Sequence, residues 1–195
     1  MNHLGVIAAL LASAVALAGC TAAQPADPLG TYRKALAATD PSISASPEPD
    51  SVAESEAVNR FVDFYKVFSA EAIRAKVRNV YADGAYFRDP FHEVTGIAAI
   101  ERYFVNSTDG VEECTFDIQD VAGFHGNYYV RWVMHLKTKR DPKSPIQAVG
   151  VTHVRFDDKG KVIFHQDYWD GGIVYERIPV VGWLIGKVKG RIAGN

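Results

Sequence analysis

"YADGAYFRDPFHEVTG", residues 81–96, marks the point where the chain changes its period. Upstream, in "ESEAVNRFVDFYKVFSA", Val58, Phe61, Val62, Tyr65 and Phe68 recur at helical spacing, and "EAIRAKVRNVY" continues the pattern at Ile73, Val77 and Val80. Residues 84–96 read as a strand and a turn, with Asp89 between strand-like residues and Pro90. "GIAAIERYFVNS" returns to helix, with Ile97, Ile100 and Phe104 on one side. Strand-like stretches follow at 113–124, from Asn127, from Pro145 and from Lys161, and "DDKG" before the last is a hairpin signal. Helices followed by a meander predict an α+β domain over 53–175, in which a strongly curved antiparallel sheet wraps around three helices.

The flanks differ in composition. Residues 20–52 are rich in Ala, Pro, Ser and Asp without a sustained apolar period, and read as a disordered tether with an end-to-end distance of about 30 Å. "GTYRKALAA" inside it is too short to hold a helix alone. In residues 1–19, His3 precedes the apolar run Val6 to Leu17, the pattern of a secretory signal. The run is too short and alanine-rich to span a bilayer. Leu17-Ala18-Gly19-Cys20 resembles a bacterial lipobox. That resemblance implies cleavage before Cys20, acyl chains on Cys20, and a protein anchored in the cell envelope. Thr21, where an aspartate would retain the protein, suggests the outer membrane, facing the periplasm. With Cys20 acylated, Cys114 has no partner for an internal disulfide and reads as a small buried residue.

The 195 residues carry 21 basic and 23 acidic side chains, a formal net charge of −2, and lack a basic block before the carboxyl terminus. Nucleic acid is therefore not an expected partner. No sequence-adjacent His/Cys/Asp group has the spacing of a metal site, and neither a phosphate loop nor a nucleophile elbow is present. No cofactor is expected.

"RFVDF", "YADGAYFRDPF", "TGIAAIERYF" and "VRFDDKGKVIFHQDYW", in this order over about 56–172, resemble the nuclear transport factor 2-like, or SnoaL-like, superfamily, which includes the ketosteroid isomerases. The resemblance implies a cone with a deep, mostly apolar pocket, a default site for a small molecule. It places Asp89 on the isomerases' general base, Phe61 where their oxyanion-hole tyrosine stands, and Thr152 where their protonated aspartate stands. A phenyl ring donates no hydrogen bond and a threonine is a poorer donor than a carboxylic acid, so classical ketosteroid isomerase activity is not expected. Tyr65, one turn beyond Phe61, is either a replacement donor or a core aromatic with its hydroxyl at the rim. Trp169 matches a pocket position, so alternation turns His165 and Asp167 into the same cavity, as functional groups or as a mutually satisfied pair. On the neighbouring strand the resemblance puts Trp132 on the pocket wall and leaves His135 and His153 outside.

Residues 176–195 form a basic, apolar extension with Gly182, Gly186 and Gly190 recurring every four residues. It either packs over the cone or rests as an amphipathic foot on anionic headgroups; glycine weakens an isolated helix, which favours packing. Three functions follow. The first is a pocket for a small, largely apolar molecule, walled by Trp132 and Trp169 with Phe61, Tyr65 and Thr152, and fixing the ligand's polar end through Asp89, His165 and Asp167. The second is an acid–base enzyme with Asp89 as base and His165, supported by Asp167, as acid. The third is a non-catalytic scaffold. A homodimer is left open.

Overall fold

The structure, a computed structural model, describes residues 27–194. The signal and lipobox readings, Cys20 included, lie outside the described residues.

After α1 (Gly30–Ala38), two helices start at caps that their sequences carry. Ser51 accepts from Glu54 N at 3.1 Å and Glu54 reaches back to Asp50 N at 2.8 Å, opening α2 (Val52–Tyr65). Ser69 opens α3 (Ala70–Val80) by accepting from Ala72 N at 3.2 Å. α3 buries Ile73, Val77 and Val80, the face that the spacing predicts, whereas α2 buries Ala57, Phe61, Phe64 and Tyr65, a face turned from the predicted one that leaves Val58 and Val62 only half-buried.

β1 (Tyr81–Arg88) leaves α3 directly and pairs antiparallel with the short β2 (Glu93–Thr95). Gly96, at φ 92°, bonds Ala85 O at 2.8 Å and starts α4 (Ile97–Ser107), which buries Ile97, Ile100 and Phe104. β3 (Val111–Phe124) and β4 (Asn127–Thr138) form a long hairpin. His125 and Gly126, at φ 47° and 72°, supply the left-handed pair that a two-residue hairpin turn requires. β5 (Ile146–Phe156) and β6 (Val162–Trp169) complete one six-stranded sheet in the order β2-β1-β6-β5-β4-β3. Register breaks in β3, between Val111 and Glu113 and between Ile118 and Asp120, bend this hairpin, and the curved sheet stays unclosed around α2, α3 and α4.

The sheet is not wholly antiparallel as expected: β6 inserts between β5 and β1 and pairs parallel with β1. A parallel pair needs a long connection, and here the whole of α4 and the β3–β5 meander provides it.

The expected disordered tether is also corrected over its described part, 27–52. α1 lies on the convex face of the sheet, where Arg155 donates to Leu36 O at 2.6 Å and Thr39 Oγ1 at 3.1 Å, and the Tyr32 ring lies 6.1 Å from that of Phe164. The helix buries no residue of its own. A charged clamp from the sheet holds it in place, so it carries little apolar period to read. His153, expected at the surface, is buried here between the rings of Tyr129 and Phe164.

Beyond β6, α5 (Gly172–Tyr175) turns into α6 (Pro179–Ile192). A Cβ at Gly182 would stand 2.1 Å from Glu176 O, so a glycine is required where α6 crosses the preceding turn. The remainder of α6 does not pack over the cone, contrary to the favoured reading, and leaves Val180, Trp183, Leu184 and Val188 exposed.

Candidate functional site

Alternation along the strands sorts the concave face. Phe87 pairs with His165, His165 with Val154, Asp167 with Thr152, Trp169 with Gly150, and Gly150 with Trp132, so these residues line up on one side of the sheet. Of these, Phe87, Trp132, Asp167 and Trp169 join α2, β3 and α4 in lining a cavity of about 350 Å³. Tyr65, Phe68, Phe87, Phe104, Phe116 and Trp132 make most of its wall. A depression of about 580 Å³ between α2 and α3 is larger but more open, and Glu56, Asn59, Arg60, Asp63 and Lys76 give it a charged lining.

Asp89 lines the cavity and also holds the turn after β1. Its Oδ1 accepts from Phe91 N at 2.8 Å and His92 N at 2.7 Å, and its Oδ2 accepts from the Tyr103 hydroxyl at 2.6 Å. Burial nevertheless lifts its pKa above the ordinary carboxylate value, outweighing those three donors, and the nearby Asp167 pushes the same way.

Asp167 faces the cavity from β6. Its Oδ1 accepts from Thr152 Oγ1 at 2.5 Å and lies 2.9 Å from His165 Nε2. Among the described residues, no hydrogen bond engages Oδ2. Behind it runs a buried chain: His165 Nδ1 is 2.8 Å from the Tyr81 hydroxyl, which is 2.6 Å from that of Tyr65. A neutral imidazole directing Nε2–H to the carboxylate accepts at Nδ1 from Tyr81, and Tyr81 in turn accepts from Tyr65. Burial pushes both phenols well above their ordinary pKa.

Asp89, Asp167, Tyr65, Trp132 and Trp169 therefore meet at one cavity. The other candidates stand behind its wall. His165 is 0% exposed with both ring nitrogens engaged, so it braces Asp167 and offers no proton to a ligand directly. Thr152 is buried, accepting from Trp132 Nε1 at 2.9 Å and donating to Asp167. Phe61 is buried against Tyr65, Phe156 and His165. Cys114 touches the cavity as a small wall residue whose thiol burial pushes up to about 12. Among the described residues, no group of three or more His, Cys, Asp or Glu could hold a metal ion.

Tyr81 and Tyr103 are the residues that sequence reasoning missed. Tyr103 gave a faint signal, a hydroxyl beside the apolar stripe of α4; Tyr81 gave none, since it sits at a helix–strand junction like any core aromatic.

Residues 58–165 match the model of the SnoaL-like domain. The chain belongs to the SnoaL-like family. The match stops two residues before Asp167, so the braced carboxylate and everything after it lie beyond the matched stretch. None of the curated proteins matches the chain. Among solved structures, this SnoaL-like chain resembles a protein from Jannaschia sp. CCS1 described as a SnoaL-like polyketide cyclase, with 15% identity, 64% of this chain and 92% of the other covered, and a TM-score of 0.53. An epoxide hydrolase from M. tuberculosis, LEH-like, gives 15% identity, coverage of 64% and 83%, and a TM-score of 0.51. A protein of ketosteroid isomerase-like fold from Catenulispora acidiphila, in complex with trimethylamine, gives 16% identity, coverage of 58% and 84%, and a TM-score of 0.50. At such identities the likeness establishes the cone fold and nothing finer.

Proposed function

We propose that the cone holds a small, largely apolar molecule whose polar end donates hydrogen bonds, such as an alcohol or an amine. The observation that carries this reading is the polarity of the cavity's one charged corner. Asp89 and Asp167 both face it, while the hydroxyls of Tyr65 and Tyr103 point to acceptors within the chain. The corner thus offers acceptors and few donors. An enolate would find little support there, whereas a hydroxyl or ammonium group would pair with Asp167 Oδ2. Trimethylamine in the Catenulispora relative is a ligand of this kind. The test is native mass spectrometry of the purified chain, followed by titration with matched long-chain amines, alcohols and carboxylates. Tighter binding of the carboxylate would refute the reading.

A second reading, acid–base catalysis, draws on the same carboxylate. Asp167 has one oxygen free for a substrate proton, and its other oxygen is fixed by Thr152 and the His165–Tyr81–Tyr65 chain. His165 then serves as a positioning residue. Turnover that disappears in Asp167→Asn while binding persists would select this reading over simple binding. We further propose, from the lipobox resemblance, that Cys20 is acylated and holds the domain to the envelope. Cys20→Ser should then release the protein into soluble fractions.

A further inference from the structure

We infer that α6 is a foot that rests on an anionic phospholipid surface and turns the pocket mouth toward the bilayer. Val180, Trp183, Leu184 and Val188 are 72%, 63%, 52% and 59% exposed. At spacings of three and four they form one side of the helix, and Lys187 and Arg191 fall on that same side. Lys187 Nζ lies 5.7 Å above the Trp183 ring. Lys189 points the other way and pairs with Glu176, while Lys187 and Arg191 have no ion pair among the described residues. No acidic residue occurs between Pro179 and Ile192. Apolar side chains, an indole and unpaired cations on one helix face complement a bilayer interface with anionic headgroups. A second copy of this chain fits less well, because a symmetric contact would press Lys187 and Arg191 against their own counterparts.

The position of α6 supports the same occupant. α5, which leads into it, lends Val174 to the cavity, and Phe91 packs at 5.3 Å on Trp169 and 5.4 Å on Tyr175. The mouth and the base of α6 are therefore neighbours. The first turn of α1 lies at that end too: the Tyr32 hydroxyl lies 3.4 Å from that of Tyr168, and Arg88 sits 5.9 Å above the Tyr32 ring. From Cys20 to Asp27 the chain can extend about 25 Å at most, so an acyl anchor at Cys20 would hold this end of the domain, and α6 with it, near the bilayer. The inference does not require the pocket to be occupied.

The test uses the full chain carrying Cys20→Ser, with mixed phosphatidylcholine–phosphatidylglycerol vesicles. Trp183 emission, assigned by difference against Trp183→Phe, should shift to the blue and be quenched by brominated acyl chains. Lys187→Glu with Arg191→Glu, both at exposed positions, should weaken that response by about tenfold or more. Emission from Trp183 that ignores the vesicles overturns the proposal, even if the protein sediments with them through another segment. A blue shift that appears without vesicles and vanishes on dilution would also overturn it, assigning the face to a second copy.

Discussion

His165 Nε2 lies 2.9 Å from Asp167 Oδ1, and this contact joins a fully buried imidazole to a carboxylate that touches the cavity. The imidazole orients the acid, and the acid faces the cavity. Substituting each carboxylate should therefore have separable effects. Asp167→Asn keeps an acceptor for Thr152 and His165 and removes the charge, so melting should move by only a few degrees while affinity for an amine ligand falls about tenfold or more. Asp89→Asn places an amide between three donors, and a mis-set turn or an unpaired Tyr103 hydroxyl should cost about 1–3 kcal/mol. Thermal melting and ligand titration on both variants decide this; equal stability loss in the two would remove the distinction.

The tyrosine pair behind His165 predicts an ordered mutant series. Tyr65→Phe removes one donor and leaves Tyr81 bonded to His165, a loss of about 1 kcal/mol. Tyr81→Phe strands both the Tyr65 hydroxyl and His165 Nδ1 in the core, a loss of about 2–4 kcal/mol. The double variant should be less destabilised than the sum of the two, which urea unfolding can measure as a coupling energy. Additive losses would show that the three groups do not act as one chain.

Gly150 makes room for the indole of Trp132, which forms part of the cavity wall. A Cβ there would lie 2.3 Å from the Trp132 indole, so Gly150→Ala must displace the ring and break its bond to Thr152. The expected loss is about 2–3 kcal/mol, with ligand binding abolished by the displaced ring. Adding Trp132→Phe should recover much of the stability. A Gly150→Ala protein that melts like the wild type would show that the indole has room to retreat.

His153 sets part of the acid limit. Burial, helped by the charge of Arg155, lowers its pKa from 6.5 to about 4. A depressed folded-state pKa stabilises the fold above the unfolded value, and that contribution is lost as pH falls from 6.5 through 4. His153→Gln, which can still donate to Asn127 Oδ1, removes the titration. Between neutral pH and pH 4 the wild type should lose roughly 5 °C more than the variant. Parallel melting curves across that range would contradict this assignment.

The residues that could be read from sequence are those whose neighbours are set by local period. Alternation along β4 and β6 groups the side chains by face, the resemblance to the isomerases marks the face of Trp132, Asp167 and Trp169 as the pocket side, and the helical spacing in α3 and α4 picks the buried faces. The residues that could not be read depend on contacts across the fold. Tyr81 meets His165 from 84 positions away, and Arg155 clamps α1 from 119 away, through a guanidinium that no apolar pattern announces. Phe61 shows a third limit. Its position was carried over from the isomerases, and one helical turn decides that Tyr65 reaches the cavity while Phe61 lies beneath it.

The central position of β6 has a consequence for how the protein is made. This strand is the last of the sheet in sequence, yet both of its edges are paired, with β5 from just before it and with β1 from the start of the domain. Until β6 has been synthesised and inserted, β1 and β5 present unpaired edges to solvent, each open to pairing with another chain. The parallel pairing must also close nearly the whole domain into one loop, a slow step for any topology of this kind. Asp167 and its brace arrive with that strand. The pocket's charged corner therefore cannot be complete before β6 is made, and a nascent chain halted before Val162 would present the edges of β1 and β5 to other chains.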